Sequence, residues 1–188
     1  MYRPPEGMAH YDPCDFFGGN LNGIREKLPY LASLGVSCIY LNPVFLSPSN
    51  HRYNTTDYQR VDPMLGTEAD LAELARAAKT YGIRLMLDGV FSHTGDDSVY
   101  FDAKGTFGGG ACSDPNSPYR AWYTFTHYPD AYHCWWGFRS LPEVQEMEPS
   151  YMAFVGKVLA QYAQLGITSW RLDVAADLGL SLIHISEP

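Results

Sequence analysis

Apolar positions in this chain three times keep a helical period, stop at a glycine, and resume as a short continuous run. Leu21, Ile24, Leu28, Leu31 and Leu34 recur at helical spacing, with Pro29 as an internal kink. Gly35 closes that pattern, and Val36 to Leu41 reads as a strand. Thr67 and Asp70 have capping-box spacing ahead of Leu71, Leu74 and Ala78; Gly82 ends the helix, and Ile83 to Leu87 is the second strand. Pro149 sits at a third helix start, and Phe154, Val155, Val158, Leu159, Tyr162 and Leu165 line one face. Gly166 then precedes a strand over Ile167 to Leu172. A glycine after each helix supplies the left-handed residue that turns the chain into a β-strand. Helix-to-strand units with apolar strands predict a parallel sheet of the α/β class.

The repeat is uneven. Residues 94–148 separate the second strand from the third helix, far beyond an ordinary connection of about 4–6 residues. This insertion is a lid or a small subdomain. Its run Ala121 to Phe138, AWYTFTHYPDAYHCWWGF, alternates aromatic and polar residues. Those rings serve either as a stacking surface or as a small core, and large aromatics usually pack.

Composition narrows the function classes. At 188 residues and 46% hydrophobic the chain suits one domain, and no run is long enough for a membrane span. No signal peptide opens it, so a cytoplasmic location is the default. A net charge of −8, scattered along the chain, argues against nucleic acid. Cys14, Cys38, Cys112 and Cys134 lack zinc spacing and disulfide density, and Cys38 reads as a buried strand thiol.

Polar residues collect where each strand ends: Asn42-Pro43, then Asp88-Gly89-Val90-Phe91-Ser92-His93, then Arg171-Leu172-Asp173. In parallel α/β sheets and barrels that end carries the chemistry. Alternation sets Arg171 and Asp173 on one face of their strand and Trp170 and Leu172 on the other. A cation beside a carboxylate lowers its pKa and keeps it ionised, as a nucleophile requires, although a structural ion pair has the same spacing. Asp88 and His93 could be a metal pair, but no third ligand has the right spacing, so no metal is assigned. Tyr53 is one loop aromatic among many.

Taken together, these segments resemble the α-amylase family of glycoside hydrolases, in its neopullulanase, cyclomaltodextrinase and maltodextrin glucosidase branch. FFGGNLNGIREKLPYLASLGV resembles the first helix, and IYLNPVFLSPSNHRYNTTDYQRVDP the second strand and its loop. LMLDGVFSHTG is similar to the motif ending the third strand, and GITSWRLDVA to that of the fourth. The resemblance implies a partial (β/α)8 TIM barrel, about strands 2–4 with their helices, and a small insertion domain after the third strand. Residues 1–93 and 149–179 would be barrel, and 94–148 the insertion. It makes Asp173 the nucleophile and Arg171 its partner. Tyr53 would stack on the sugar before the scissile bond, His93 would hydrogen-bond it, and Asp88 would brace the site. The implied activity is retaining hydrolysis of α-glucosidic bonds in maltodextrins or related α-glucans, by a parent that could be homodimeric.

Departures qualify the carry-over. Ala176-Asp177 replaces the branch's Asn-Glu, so Asp177 is a substrate-binding candidate of altered preference on the leaving-group side. LPEVQ, Leu141 to Gln145, replaces Met-Pro-Lys-Leu-Asn, and the exact substrate does not carry over. Ser92 stands where other α-amylases carry a calcium-binding Asn, and Gly18-Gly19-Asn20 replaces a calcium-binding Gly-Gly-Asp. No cofactor is assigned on that basis, though calcium belongs to the family. The general acid, a Glu after the fifth strand, has no counterpart here, so the isolated chain is expected to be inactive. Residues 180–188, LSLIHISEP, resemble the translation of a sequencing adapter and are set aside. Two rivals stay open: a non-catalytic amylase-like or transporter-associated binding protein, and a flavodoxin-like α/β domain. The long insertion and the lack of a phosphate-binding glycine loop oppose the second.

Overall fold

The computed structural model describes residues 14, 16, 18–175 and 178. Asp177 and the 180–188 tail lie outside the described residues. The chain order is α1 (Leu21–Ser33), β1 (Cys38–Tyr40), β2 (Phe45–Leu46), β3 (Asp57–Val61), α2 (Glu68–Thr80) and β4 (Arg84–Gly89). Then come β5 (Phe125–His127), β6 (Ala131–Tyr132), α3 (Pro149–Gln164) and β7 (Ser169–Leu172). Strands β1, β4 and β7 form a parallel sheet in that spatial order, with Ile39 opposite Leu85 and Leu87 opposite Trp170. This is the α/β arrangement of a partial barrel, and each strand is the third part of a helix–glycine–strand unit.

Local chemistry explains the elements. Asn20 caps α1, accepting from the Gly23 amide at 2.8 Å, and the helix continues past Pro29 without a break. At α2 the Thr67–Asp70 capping box is complete in both directions. Pro149 occupies the first turn of α3, where Glu148 accepts from the amides of Ser150 and Tyr151. Gly35, Gly82 and Gly166 have φ of 78°, 70° and 90°, a region that costs other residues steric strain.

Strand alternation then sorts the side chains. Leu85 and Leu87 face α2 and the core, while Trp170 packs against Phe45, Phe91 and Tyr162. The other face carries Cys38, Tyr40, Asp88 and Arg171. Cys38 is therefore half-buried rather than buried, because it shares the face of exposed Tyr40. No disulfide forms among the described residues.

Most aromatics of the insertion are core. Phe101 lies 4.8 Å from Tyr123 and 4.6 Å from Tyr132, and Trp122 lies 5.0 Å from both Tyr151 and Phe154 of α3. Where the chain leaves β4, every carbonyl from 90 to 93 is capped from elsewhere. Tyr58 donates to Val90 and His93, Tyr151 to Phe91, and the Val144 amide to Ser92. These bonds knit the insertion's base to β3 and α3.

Two glycines with opposite roles test this account in the full-length protein. Gly82→Ala forces a side chain into the left-handed region and should cost about 1–2 kcal/mol. Gly156→Ala, inside α3 with nothing within 4 Å of an added Cβ, should stabilise by about 0.5–1 kcal/mol. Urea unfolding of both variants should therefore shift in opposite directions; equal shifts would contradict the assignment of Gly82 as a helix-to-strand turn.

Candidate active site

The polar face of the sheet converges on Asp88, at the C-terminal end of β4. Its side chain is 0% exposed. Arg171, directly opposite on β7, donates to its two oxygens at 3.0 and 3.1 Å. Tyr53 donates to Oδ2 at 3.0 Å, and Tyr40 of β1 donates to the same oxygen. Burial raises the pKa of both phenols, Asp88 adding to it, so each remains a protonated donor at neutral pH.

Arg171 also holds Asp173, at 2.6 Å from Nη1 to Oδ1. One cation thus serves two carboxylates. Burial works against its charge, yet Asp88 and then Asp173 outweigh that and raise its pKa. The outcome for Asp173 differs from the expectation drawn from the Arg–Asp spacing. Burial raises its pKa, with a smaller upward push from Asp88, and the Arg171 bond offsets this only in part. Next to it, the β-branched Val174 has φ of 51°, an unfavourable conformation held beside Asp173.

Tyr53 reaches Asp88 from the long loop between β2 and β3. That loop is closed by Ser47, which donates to the Asn54 carbonyl at 2.9 Å and to its side chain at 3.0 Å. A buried ion pair, Arg52 Nε to Asp62 Oδ2 at 2.6 Å, pins the residue before Tyr53. Arg52 has φ of 61°, so the chain reverses there and sends Tyr53 toward β4. His51 stacks on Tyr53 at 6.1 Å and accepts its amide at 3.1 Å.

His93 is 2% exposed. Its Nδ1 pairs with Ser92 Oγ at 2.9 Å, while Nε2 has no hydrogen-bond partner among the described residues. Burial pushes its pKa down to about 4, against a weaker upward pull from the Tyr53 backbone. It is a neutral imidazole at pH 7.

Four of the residues singled out from sequence, Asp88, Arg171, Asp173 and Tyr53, form one bonded cluster, while the His93 ring is bonded to Ser92 and not to any of the four. Asp177 lies outside the described residues. Tyr40 was missed: inside an apolar run a tyrosine reads as packing. Its signal was period-two alternation, which sets it on the same face and at the same strand end as the acidic and basic residues.

The donors for calcium do not fit. Ser92 Oγ is committed to His93, Asn20 Oδ1 caps α1, and neither carries charge. Among the described residues no three acidic, His or Cys side chains group as a metal site.

The chain matches the family model for the catalytic domain of alpha amylase over residues 5–181. It belongs to the α-amylase family. An amylopullulanase from Thermoanaerobacterium saccharolyticum is 50% identical over 143 residues, covering 72% of this chain and 11% of the relative. A cyclomaltodextrinase from Geobacillus thermopakistaniensis is 34% identical over 181 residues, covering 93% of this chain and 30% of the relative. Among solved structures, the cyclic α-maltosyl-(1→6)-maltose hydrolase of Arthrobacter globiformis superposes with a TM-score of 0.81 at 31% identity. That match covers 90% of this chain and 39% of the other. The chain spans between 8 and 30% of the length of the leading curated relatives. No helix among the described residues is long and apolar enough to cross a membrane.

The state of His93 makes a pH prediction. In the unfolded chain it takes up a proton below about pH 6.5, in the folded chain only near 4. Between those values the unfolded state binds more protons, so stability falls as pH falls, by about 3 kcal/mol at most. In the full-length α-amylase family protein, urea unfolding at pH 7 and pH 4 should show His93→Gln with a flatter pH dependence than wild type. An unchanged slope would mean that another group carries it.

Proposed function

We propose that the full-length protein containing this chain hydrolyses α-glucosidic bonds in maltodextrins or related α-glucans, with retention of anomeric configuration. The observation that carries this is the Arg171–Asp173 pair, a half-buried carboxylate held at a strand's C-terminal end against a fully bonded Asp88. The family membership and the names of the relatives support the substrate class.

In this reading Asp173 attacks the anomeric carbon, the glycosidic C–O bond breaks, and a covalent glycosyl-enzyme forms. A second carboxylic acid, roughly 5 Å away, protonates the departing oxygen and then takes a proton from the water that releases the sugar. Asp88 is unsuited to that second role. It is 1% exposed and accepts from Tyr40, Tyr53 and Arg171, so it has no free proton to deliver. The general acid/base is supplied by the rest of the full-length protein. Arg171 orients the nucleophile, and its charge offsets part of the upward push that burial gives Asp173. Tyr53 offers its ring to the sugar that reacts, and the family resemblance gives His93, whose Nε2 is buried here, a hydrogen bond to the same sugar. Partners are then α-glucan oligosaccharides, and a cytoplasmic location is in keeping with the lack of disulfides among the described residues.

The test is turnover of maltodextrin, cyclodextrin and pullulan by the full-length protein, with Asp173→Asn beside it. The variant should lose at least roughly 10⁴-fold in kcat, and NMR of the first product should show the α-anomer. A β-anomer, or activity that survives Asp173→Asn, would overturn the mechanism. A folded wild type that binds glucans without cleaving them would favour a non-catalytic amylase-like binding protein.

A further inference from the structure

Tyr40 stands in the cluster around Asp88, yet the proposed reaction gives it no task. The register sets it opposite Met86, so Asp88 lies two residues, about 6–7 Å, further along β4. Only a long side chain bridges that diagonal. Alternation brings both residues to the polar face, and the phenol donates to Oδ2 of Asp88. The ring itself lies largely outside: Tyr40 is 42% exposed, whereas the Asp88 side chain is 0% exposed. Apolar burial therefore does not account for an aromatic residue at this strand end.

The donors around Asp88 are unevenly divided between its two oxygens. Oδ1 accepts from Arg171 at 3.0 Å, while Oδ2 accepts from Arg171 at 3.1 Å, from Tyr53 at 3.0 Å and from Tyr40. A carboxylate oxygen offers about two lone-pair directions, so Oδ2 is satisfied without Tyr40. What Tyr40 adds is a constraint. Tyr53 reaches Oδ2 from a loop, whereas Tyr40 ties it to the paired strand β1. On the other side a single atom, Arg171 Nη1, bonds both Asp88 oxygens and also Asp173 Oδ1 at 2.6 Å. Rotation of the Asp88 carboxylate therefore carries Nη1 with it, and Nη1 carries Asp173. The two phenol oxygens lie 3.5 Å apart, so Tyr40 also limits where the Tyr53 hydroxyl can sit.

We infer that Tyr40 is a positioning residue for the nucleophile: its hydroxyl fixes the rotation of Asp88 and, through Arg171 Nη1, the place of Asp173. This rests on the proposed hydrolysis with Asp173 as nucleophile. Tyr40 acts through Asp88 and enters no bond-making step. A slightly displaced nucleophile loses rate, while a sugar held by other contacts binds as before.

The test is Tyr40→Phe in the full-length protein, which keeps the ring and leaves Asp88 bonded to Tyr53 and Arg171, so that the fold is retained. Steady-state kinetics are measured beside wild type on maltoheptaose and on α-maltosyl fluoride, whose fluoride departs with little need of a proton. On both substrates kcat should fall about tenfold, with KM within about twofold of wild type. Persistence of the loss with the fluoride assigns it to the nucleophile and not to the general acid. An unchanged kcat with only a lowered urea midpoint would reduce Tyr40 to a residue of the fold and overturn the inference. A raised KM with kcat unchanged would mean that the phenol binds sugar directly, and a loss confined to maltoheptaose would assign it to the leaving-group side. Either result overturns the positioning role while leaving the glucan activity standing. A wild type that turns over neither substrate would sink the functional reading and the positioning role with it.

Discussion

A carboxylate with no exposed side-chain surface must be surrounded by donors, and Asp88 imposes that requirement on the whole sheet. Left unpaired, a buried charge of this kind costs several kcal/mol. Its donors come from three separate parts of the chain: Tyr40 on β1, Tyr53 on the long loop and Arg171 on β7. The order β1–β4–β7 puts Asp88 in the middle, so a register slip on either side would strip it of a partner. The site is thus an electrostatic reason for the topology as well as a product of it.

Arg171 is shared. A single cation between Asp88 and Asp173 leaves the cluster with an excess of negative charge; burial first, and Asp88 to a smaller extent, keep Asp173 from the depressed pKa that a simple ion pair would give it. In the proposed glycosidase reaction this would have a use. Positive charge develops at the anomeric carbon in the transition state, and a cluster with surplus anionic character favours that charge more than a neutralised pair would. The position of Asp173 is fixed by the cation while its field is only partly cancelled.

The fold was legible in the sequence to the extent that one segment carried its own signal. The three helices announced themselves by apolar period, two of their starts by the Thr67–Asp70 spacing and Pro149, and their exits by Gly35, Gly82 and Gly166, while the Asn20 and Glu148 caps emerged only in the structure. The Arg171–Asp173 pair was visible because strand alternation is local. What stayed hidden depended on neighbours remote in sequence. Tyr40 joins the site only through a pairing that brings it beside Asp88, and Cys38 lies on the same face. The direction of the Asp173 shift depended on burial and on a second carboxylate from another strand, neither of which two-residue spacing can reveal. Aromatic density in the insertion could not be divided between core and surface, since buried Trp122 and exposed Trp136 look alike until their surroundings are known.

The capped carbonyls of residues 90–93 separate the insertion into two regimes. Its base is bonded to Tyr58, Tyr151 and Val144, elements that also hold the core together, so change there is constrained by folding. Its tip, around Trp136, answers to none of those bonds. Loops of that kind can be exchanged among descendants of one ancestor without rebuilding the catalytic floor beneath them. The divided insertion confines the demands of folding to its base and leaves its tip free to vary.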